Sequence, residues 1–432
     1  MDTLEQLAQF RQQVYQTFTQ RPAALLELID AVAQTPRPHS PVELSLAMQR
    51  HWTTLYDALR HGSIDLAALR PLLVKTAATA APYRVAGHRV VLIDHTGFPR
   101  PTARTVTERE RYHGPNSTVP IGHRYAWLSQ VVDPDTAWVA PLDVARIGPG
   151  DTPIAVALTQ VERVAKSSRE PLLVVGDREY GVDEVLRRVP EVQGAKVTWG
   201  ARVRSNLVFY LPPPARQPGQ KGRARLYGAR VQLNDPSTWP VPAWSATHET
   251  SSGERVEVRG WRDWRRRGFP TQPLQIVQVR VLRADGRPKY AQPLWVLLVG
   301  DEVAWEHIPP LYGCRWREET WHGQAKAVLG WTRAQLGDVQ RQDRWTWVVL
   351  LAAWQLLLAR ELARDCPRPW ERSAATVLPL ARVQRDFGRI LQEFGLGVPA
   401  PKPRGKAPGR ADGTRLEPKA RQPLLKRRQK AA

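Results

Sequence analysis

The stretch from Leu311 to Trp331 reads LYGCRWREETWHGQAKAVLGW, and the interpretation of the whole chain depends on it. Residues three and four positions apart share one face of an α-helix. Five polar residues keep this spacing: Tyr312, Arg315, Glu319, His322 and Lys326. The neighbouring flank is apolar: Leu311, Cys314, Trp321, Ala325 and Val328. The stretch therefore predicts a helix that docks on a core and exposes a polar stripe, although spacing alone favours a solvated ladder of salt bridges over a site.

Four residues of the stripe also match a known motif. Tyr312, two residues, Arg315, three residues, Glu319, six residues and Lys326 resemble the Y-(2)-R-(3)-E-(6)-K signature of bacterial insertion-sequence transposases of the DDE class. That family has an RNase H-like catalytic domain with two aspartates and one glutamate. The resemblance implies that Glu319 is the catalytic glutamate and that Tyr312, Arg315 and Lys326 bind phosphates at the DNA ends. His322 lies outside the signature and receives no role.

The resemblance also requires two aspartates upstream, each at the end of a strand. Residues 83 to 205 predict the element order β-β-β-α-β-α-β, which is the order of the RNase H-like fold. The first strand, Arg89 to Ile93, ends on Asp94, and the fourth, Pro171 to Gly176, ends on Asp177. A single aspartate at a strand end is commonly a turn residue. The pair, together with Glu319, instead predicts a catalytic triad.

Three carboxylates close together repel one another unless a cation lies between them. Mg²⁺ prefers oxygen ligands and binds through a few carboxylates together with substrate phosphate. We therefore expect Asp94, Asp177 and Glu319 to hold two Mg²⁺ ions, with Mn²⁺ able to substitute. Two such ions can activate the attacking oxygen and stabilise the leaving oxygen in phosphodiester displacement.

Composition and charge narrow the class of partner. The chain has 432 residues, a formal net charge of +22 and a pI near 10.6. Such an excess of cations favours a polyanionic partner, most commonly nucleic acid. We expect double-stranded DNA, both terminal inverted repeats and target DNA, and a homodimer in the DNA complex. The sequence contains no Walker loop, zinc spacing or glycine-rich dinucleotide turn, so no nucleotide cofactor is expected.

Three further features indicate a cytoplasmic, nucleoid-associated protein. Only Cys314 and Cys366 are present, too few for a disulfide framework, which fits a reducing compartment. The N-terminal residues lack the basic and apolar regions of a signal peptide. The longest apolar stretch, Thr346 to Ala359, is too short to cross a bilayer, so no membrane association is expected.

The predicted fold is α/β: an RNase H-like mixed sheet flanked by helices, with a mostly β insertion, an all-α N-terminal domain and a disordered basic tail. The predicted parts are a helical domain for DNA-end binding or dimerisation (1–82), the first part of the core (83–205), a β-rich insertion (206–300), the second part of the core with C-terminal helices (301–397) and the tail (398–432). The tail has eleven Lys or Arg against two acidic residues, a composition typical of non-specific phosphate binding.

Two alternatives stay open from the sequence. The chain could be another RNase H-like nuclease, such as a resolvase, or a catalytically inactive DNA-binding descendant. The presence of all three carboxylates disfavours the inactive alternative.

Overall fold

Helices predominate near both ends of the described residues, and most strands lie between them. The structure, a computed structural model, describes residues 2–114, 117–216, 218, 221–250, 253–372, 377–396, 403, 413 and 418–425. The helices in these residues are α1 (Thr3–Gln16), α2 (Pro22–Gln34), α3 (Pro41–Ala47), α4 (Thr54–His61), α5 (Leu66–Ala80), α6 (Pro153–Ser167), α7 (Asp183–Arg188), α8 (Ile308–Gly313), α9 (Trp316–Ala327), α10 (Val339–Ala359) and α11 (Leu380–Gln392). The strands are β1 (Phe18–Gln20), β2 (Ser63–Ile64), β3 (Arg84–Val85), β4 (His88–Pro99), β5 (Glu110–Arg111), β6 (Ile121–Val131), β7 (Val139–Arg146), β8 (Leu172–Gly176), β9 (Val197–Val203), β10 (Val208–Tyr210), β11 (Arg230–Gln232), β12 (Trp244–Glu249), β13 (Arg255–Arg266), β14 (Phe269–Leu282) and β15 (Leu294–Val299).

The predicted order of elements in residues 83–205 is present. The strands β4, β6 and β7 are followed by α6, β8, α7 and β9, and the short strands β3 and β5 are additional. The chain is therefore mixed α/β with a large mixed sheet. The N-terminal 82 residues are mainly helical, as predicted, but they also contain the antiparallel pair of β1 and β2, which a purely helical domain does not include.

The chain forms two compact units. The first consists of Met1–Pro82, His95–Val156 and Arg317–Ala432, and the second of Tyr83–Asp94 and Ala157–Trp316. The strand β4 begins in the second unit and ends in the first, because the division falls between Asp94 and His95. The five-part division drawn from the sequence stays a prediction.

In the second unit, the sheet has the strand order β11-β10-β13-β14-β15-β9-β8-β4. The strand β8 pairs in parallel with both β4 and β9, whereas β9 pairs antiparallel with β15. All five residues of β8 are buried. Parallel strands that are covered on both faces are continuous apolar runs, which explains why Leu172–Gly176 is apolar throughout.

Tryptophans form the core of the β-rich part of this unit. The rings of Trp261 in β13 and Trp295 in β15 have centroids 5.7 Å apart, and the Trp239 ring lies 5.2 Å from that of Trp295. The Trp261 indole N–H donates to the Pro240 carbonyl at 2.9 Å. Arg262 instead lies on the surface, with its guanidinium 5.4 Å from the centre of the Trp305 ring. The aromatic residues here stabilise the sheet, and the Arg262 cation faces solvent.

In the first unit, the helices pack around α10, which is buried along most of its length. It contacts α1, α2 and α11 as well as β7. Trp354 connects these layers, because its ring stacks on Phe10 with centroids 5.5 Å apart and its indole N–H donates to the Pro141 carbonyl at 2.6 Å. The apolar stretch Thr346 to Ala359 therefore lies in a buried core helix of this unit.

A buried ion pair joins three of these helices. Arg11 in α1 donates to both carboxylate oxygens of Asp30 in α2, at 2.5 and 2.9 Å, and also to Gln355 in α10. The Gln355 amide donates back to Asp30 at 2.9 Å. The side chains of Arg11 and Asp30 are only 8% and 7% exposed. Breaking such a pair leaves one charge buried without compensation.

We therefore expect Arg11→Met to lower the free energy of unfolding by about 3–5 kcal/mol. The matched control is Arg50→Met, which removes the pair with Glu27; the Arg50 side chain is 56% exposed, so the expected loss is below about 1 kcal/mol. Urea denaturation of both variants measures the difference. Equal losses would contradict the structural role of the buried pair.

One segment of the predicted disordered tail has a defined position in the first unit. Within Pro418–Leu425, the Gln422 N–H donates to the Arg104 carbonyl and the Leu425 N–H donates to the Arg109 carbonyl, both at 2.8 Å. The structure differs here from the predicted disorder because main-chain groups, which composition does not reveal, make these bonds. Apart from two isolated residues, the remainder of the predicted tail lies outside the described residues.

Helix length and polarity in the described residues give no candidate membrane span. None of the helices there combines the length and the apolar character that crossing a bilayer needs.

Candidate active site

Asp94 and Asp177 emerge from neighbouring parallel strands of the second unit. The pairing of β4 with β8 aligns Leu92 with Val175. Each aspartate follows two residues later in its own strand direction, so both reach the same carboxyl edge of the sheet. Both residues are partly exposed. The sheet register therefore brings the two predicted aspartates together where β8 ends. Asp177 follows the last residue of β8 as predicted, whereas β4 continues to Pro99, so Asp94 lies within its strand and not at a strand end.

The backbone around Asp177 is tightly constrained. Its carboxylate accepts a hydrogen bond from the Glu179 N–H at 2.8 Å and thereby caps the short 3₁₀ turn Arg178–Tyr180. Tyr180 is fully buried. A Cβ on Gly176 would lie 2.9 Å from the Tyr180 Cβ, so the chain needs glycine immediately before the aspartate.

The predicted continuous helix over Leu311–Trp331 is in fact two helices. The first, α8, ends at Gly313, and α9 begins at Trp316. The Arg315 N–H bonds to the Tyr312 carbonyl, three residues back, so the chain makes a tighter turn between the helices. Gly313 favours this break because glycine is a poor helix former. Tyr312 and Arg315 consequently belong to the second unit, whereas Glu319 and Lys326 belong to the first.

Tyr312 and Arg315 are both buried in the second unit. The Arg315 guanidinium lies 5.9 Å from the centre of the Tyr312 ring and 4.6 Å from that of Trp316. Burial raises the pKa of the Tyr312 hydroxyl, the positive charges of Arg315 and Arg202 oppose this rise, and the charge of Asp177 adds to it. Tyr312 and Asp177 are therefore close enough to interact electrostatically.

Two adjacent glutamates in α9 occupy opposite environments within the first unit. Glu319, the predicted catalytic residue, is exposed, whereas Glu318 is fully buried. The Ser129 hydroxyl donates to Glu318 Oε1 at 3.1 Å, and His322 Nε2 lies 3.6 Å from the same oxygen. Neighbouring helical residues are rotated by about 100°, which explains how one packs inward and the other faces solvent.

His322 is a buried, neutral side chain. Its ring centroid lies 6.3 Å from that of Trp127 in β6. Burial lowers the pKa of His322 well below its usual value, and the positive charges of Lys326 and His95 act in the same direction. The sequence assigned no role to His322, and the structure shows it as part of the packing that positions α9.

Lys326 in α9 contacts the chain just beyond the predicted first aspartate. Its ammonium donates to the hydroxyl of Thr96 at 2.5 Å, and Thr96 follows Asp94 by two residues in the sequence. The same helix docks on β6 through Trp321, whose ring centroid lies 5.5 Å from that of Trp127. The apolar flank predicted for this stretch is buried at Trp321 and Ala325.

Sequence reasoning missed both Ser129 and Glu318. A signal for Ser129 exists in the sequence, because it and the adjacent Gln130 are the polar residues of a run that is otherwise apolar, and Ser129 is fully buried in β6. A buried polar side chain requires a hydrogen-bond partner. The partner itself could not be identified, because Glu318 lies 189 positions away.

The donor chemistry of the aspartate edge suits a hard divalent cation. Carboxylate oxygens of Asp94 and Asp177 are the type of ligand that Mg²⁺ prefers, and both residues are accessible. Across the described part of the chain, no group of three or more His, Cys, Asp or Glu side chains has an arrangement able to hold a metal ion. The assignment of Asp94, Asp177 and Glu319 as joint ligands stays a prediction.

Comparison with known protein families supplies the decisive observation. A family model described as "DDE superfamily endonuclease" matches residues 13–267, more than half of the 432-residue chain. The chain belongs to this family. The match includes both Asp94 and Asp177 but ends before Glu319, so it does not bear on the glutamate.

Among solved structures, this DDE superfamily endonuclease is similar to a chain of the "piggyBac transposase synaptic complex with hairpin DNA". The two chains are 12% identical, the similarity covers 91% of this chain and 78% of that one, and the TM-score is 0.42. So distant a similarity carries no argument about activity. No curated protein gives a significant match.

The buried state of His322 makes the stability of this endonuclease dependent on pH. An unfolded histidine takes up a proton near pH 6.5, whereas folded His322 resists it. Below that pH the unfolded state binds more protons, so the stability contribution falls by up to about 1.4 kcal/mol per pH unit. His322→Gln should therefore lose less stability than the wild type between about pH 7 and about pH 5.

Denaturant unfolding at the two pH values measures this effect, and His61→Gln, at an exposed histidine, is the control. If His322→Gln kept the wild-type pH dependence, His322 would take up a proton as readily in the folded as in the unfolded protein, which contradicts this prediction.

Proposed function

We propose that this DDE superfamily endonuclease is a DNA transposase that binds the ends of an insertion sequence, cleaves phosphodiester bonds and joins the 3′-hydroxyl ends to target DNA. The observation that carries the proposal is the register of β4 and β8, which brings Asp94 and Asp177 to one edge of the sheet. We assign the third carboxylate to Glu319, which is exposed on α9. Its position in the Y-(2)-R-(3)-E-(6)-K spacing supports this choice over Glu318.

In this proposal the core is an RNase H-like fold interrupted by the β-rich segment between β9 and α8. The order of strands and helices from β4 to β9 supports this assignment. Asp94, Asp177 and Glu319 would hold two Mg²⁺ ions, for which Mn²⁺ could substitute. When bound, such ions activate the attacking oxygen and stabilise the leaving oxygen of an in-line displacement.

The protein's own side chains orient the DNA for this step. Lys326 contributes a mobile point charge, and its ammonium is already directed at the Thr96 hydroxyl. Arg315 is held between Tyr312 and Trp316, an arrangement that fixes the direction of its guanidinium. A fixed guanidinium can bind phosphate oxygens in a bidentate manner. We propose that Tyr312, Arg315 and Lys326 hold the terminal phosphates.

Glu318 has a different role in the proposal. Because it is fully buried and accepts the Ser129 hydroxyl, it fixes the rotation of α9 and so the outward direction of Glu319. It is a positioning residue and not a metal ligand. The N-terminal helices would bind DNA ends or a second copy of the chain, and the protein would act on chromosomal DNA in the cytoplasm as a homodimer.

The two glutamates provide a sharp test. Glu319→Gln should reduce Mg²⁺-dependent cleavage of a DNA end below detection without changing the melting temperature, since Glu319 is exposed. Glu318→Gln should lower the melting temperature, because it alters a buried carboxylate, yet retain cleavage within about tenfold, or 1.4 kcal/mol of barrier. Asp94→Asn and Asp177→Asn should abolish cleavage and leave end binding intact, because phosphate contacts supply most of the affinity.

Supercoiled-plasmid nicking, joining of a pre-cleaved end and thermal denaturation measure these outcomes. Cleavage lost in Glu318→Gln but kept in Glu319→Gln would reject the assignment of Glu319. Nicking without joining would indicate another RNase H-like nuclease, and DNA binding without nicking would indicate an inactive descendant.

A further inference from the structure

The C-terminal segment Pro418–Leu425 lies along the loop that precedes β5. Two main-chain bonds hold it there, from the Gln422 N–H to the Arg104 carbonyl and from the Leu425 N–H to the Arg109 carbonyl. Leu425 also forms a parallel β-bridge with Glu110, so the segment extends the edge at β5. Leu425 is partly covered, whereas the side chains of Lys419 and Arg421 are exposed. The contact thus uses backbone and apolar groups and leaves the cations free to face solvent.

The loop that receives this segment is itself strongly basic. It carries four arginines. Arg104 and Arg111 are exposed, whereas Arg100 and Arg109 are buried. Its two acidic residues are already engaged, because Glu108 pairs with Arg146 and Glu110 pairs with Arg124 at 2.9 Å. In the described part of the chain, no carboxylate lies within ion-pair distance of Arg104 or Arg111. The positive charge of the loop is therefore not neutralised within the described residues.

The pKa values of the buried arginines reflect the same excess of positive charge. Burial lowers the pKa of Arg109, and the positive charge of Arg104 lowers it further. The pKa of Arg100 is likewise lowered, first by burial and then by the charge of Arg109. Arg100 donates to the neutral carbonyls of Ala334 and Leu336, at 2.9 and 2.6 Å. Three like charges therefore lie within electrostatic reach of one another at the point where a second cationic segment docks.

We propose that Pro418–Leu425 is a docking strand, and that its cations and the exposed arginines of the loop, Arg104 and Arg111, form one binding surface for the phosphate backbone of duplex DNA. The inference rests on the proposed function for its partner, DNA. The cations of the segment repel those of the loop, so a polyanion that contacts both groups of cations stabilises the docked arrangement. Docking by backbone bonds fixes where Lys419 and Arg421 meet the duplex. The surface contributes affinity without base recognition.

The test separates docking from charge in the full-length protein. The double variant Gln422→Pro/Leu425→Pro removes both main-chain donors and keeps every cation. The double variant Lys419→Ala/Arg421→Ala removes two cations and keeps both donors. Ala420→Pro is the matched control, because Ala420 is exposed and its N–H makes no hydrogen bond within the described residues. The probe is a fluorescent random-sequence duplex, and anisotropy gives the slope of log K against log salt.

We expect the proline pair and the alanine pair each to flatten this slope by about 2, because each phosphate contact contributes about 0.9. Combining both pairs should flatten it no further, and Ala420→Pro should match the wild type. Hydrogen exchange should show protection of the Gln422 and Leu425 amides, the donors of the docking bonds, in the wild type and in Ala420→Pro. A wild-type slope in the proline pair, additive losses in the combined variant, or unprotected Gln422 and Leu425 amides in the wild type would each overturn the proposal.

Failure of the proposed function gives a different result. A slope that depends on docking, found in a protein that cannot join DNA ends, would reject the transposase assignment and support the docking surface. If the wild-type protein did not bind duplex DNA at all, both the proposed function and the docking surface would be rejected.

Discussion

The parallel pairing of β4 with β8 is the constraint on which the rest of the site depends. Because side chains alternate along a strand, a slip of one residue would turn Asp94 or Asp177 to the opposite face of the sheet. The register is secured by burial, since every residue of β8 is covered and Gly176 admits no Cβ. The aspartates can remain partly exposed and chemically available because the strands behind them are fixed by apolar packing.

The sequence predicts these strands well because their signal is local. A run such as Leu172–Gly176 is apolar at every position, and an aspartate at its end is visible without any knowledge of its neighbours. The same local reasoning predicts the faces of α9 but not what packs on them. That Glu318 is buried depends on Ser129, which lies in a strand far away in sequence. Helical spacing therefore identifies the two glutamates and only packing distinguishes them.

The break between α8 and α9 has the same origin. Composition from Leu311 to Trp331 permits one helix, and glycine at position 313 weakens it by only about 1 kcal/mol. Burial of Tyr312 and Arg315 against Trp316 favours the broken form instead. The spacing of the signature survives in the sequence, while Tyr312 lies in α8, Arg315 in the turn between the helices, and Glu319 and Lys326 in α9.

Net charge can also be read from the sequence alone, but the structure separates the cations into two classes. Arg11 and Arg100 are buried and bind a carboxylate or carbonyl groups of the protein, so they stabilise the fold and add little to any binding surface. The charge that DNA can meet is concentrated where cations stay exposed, as at Arg104 and Arg421. Composition predicts a disordered tail that binds DNA phosphates non-specifically. Main-chain bonds to the loop instead raise the effective concentration of the tail's cations at one place. A fixed set of cations orders fewer degrees of freedom when it meets phosphates, so its contribution to affinity exceeds that of the same charges on a free chain.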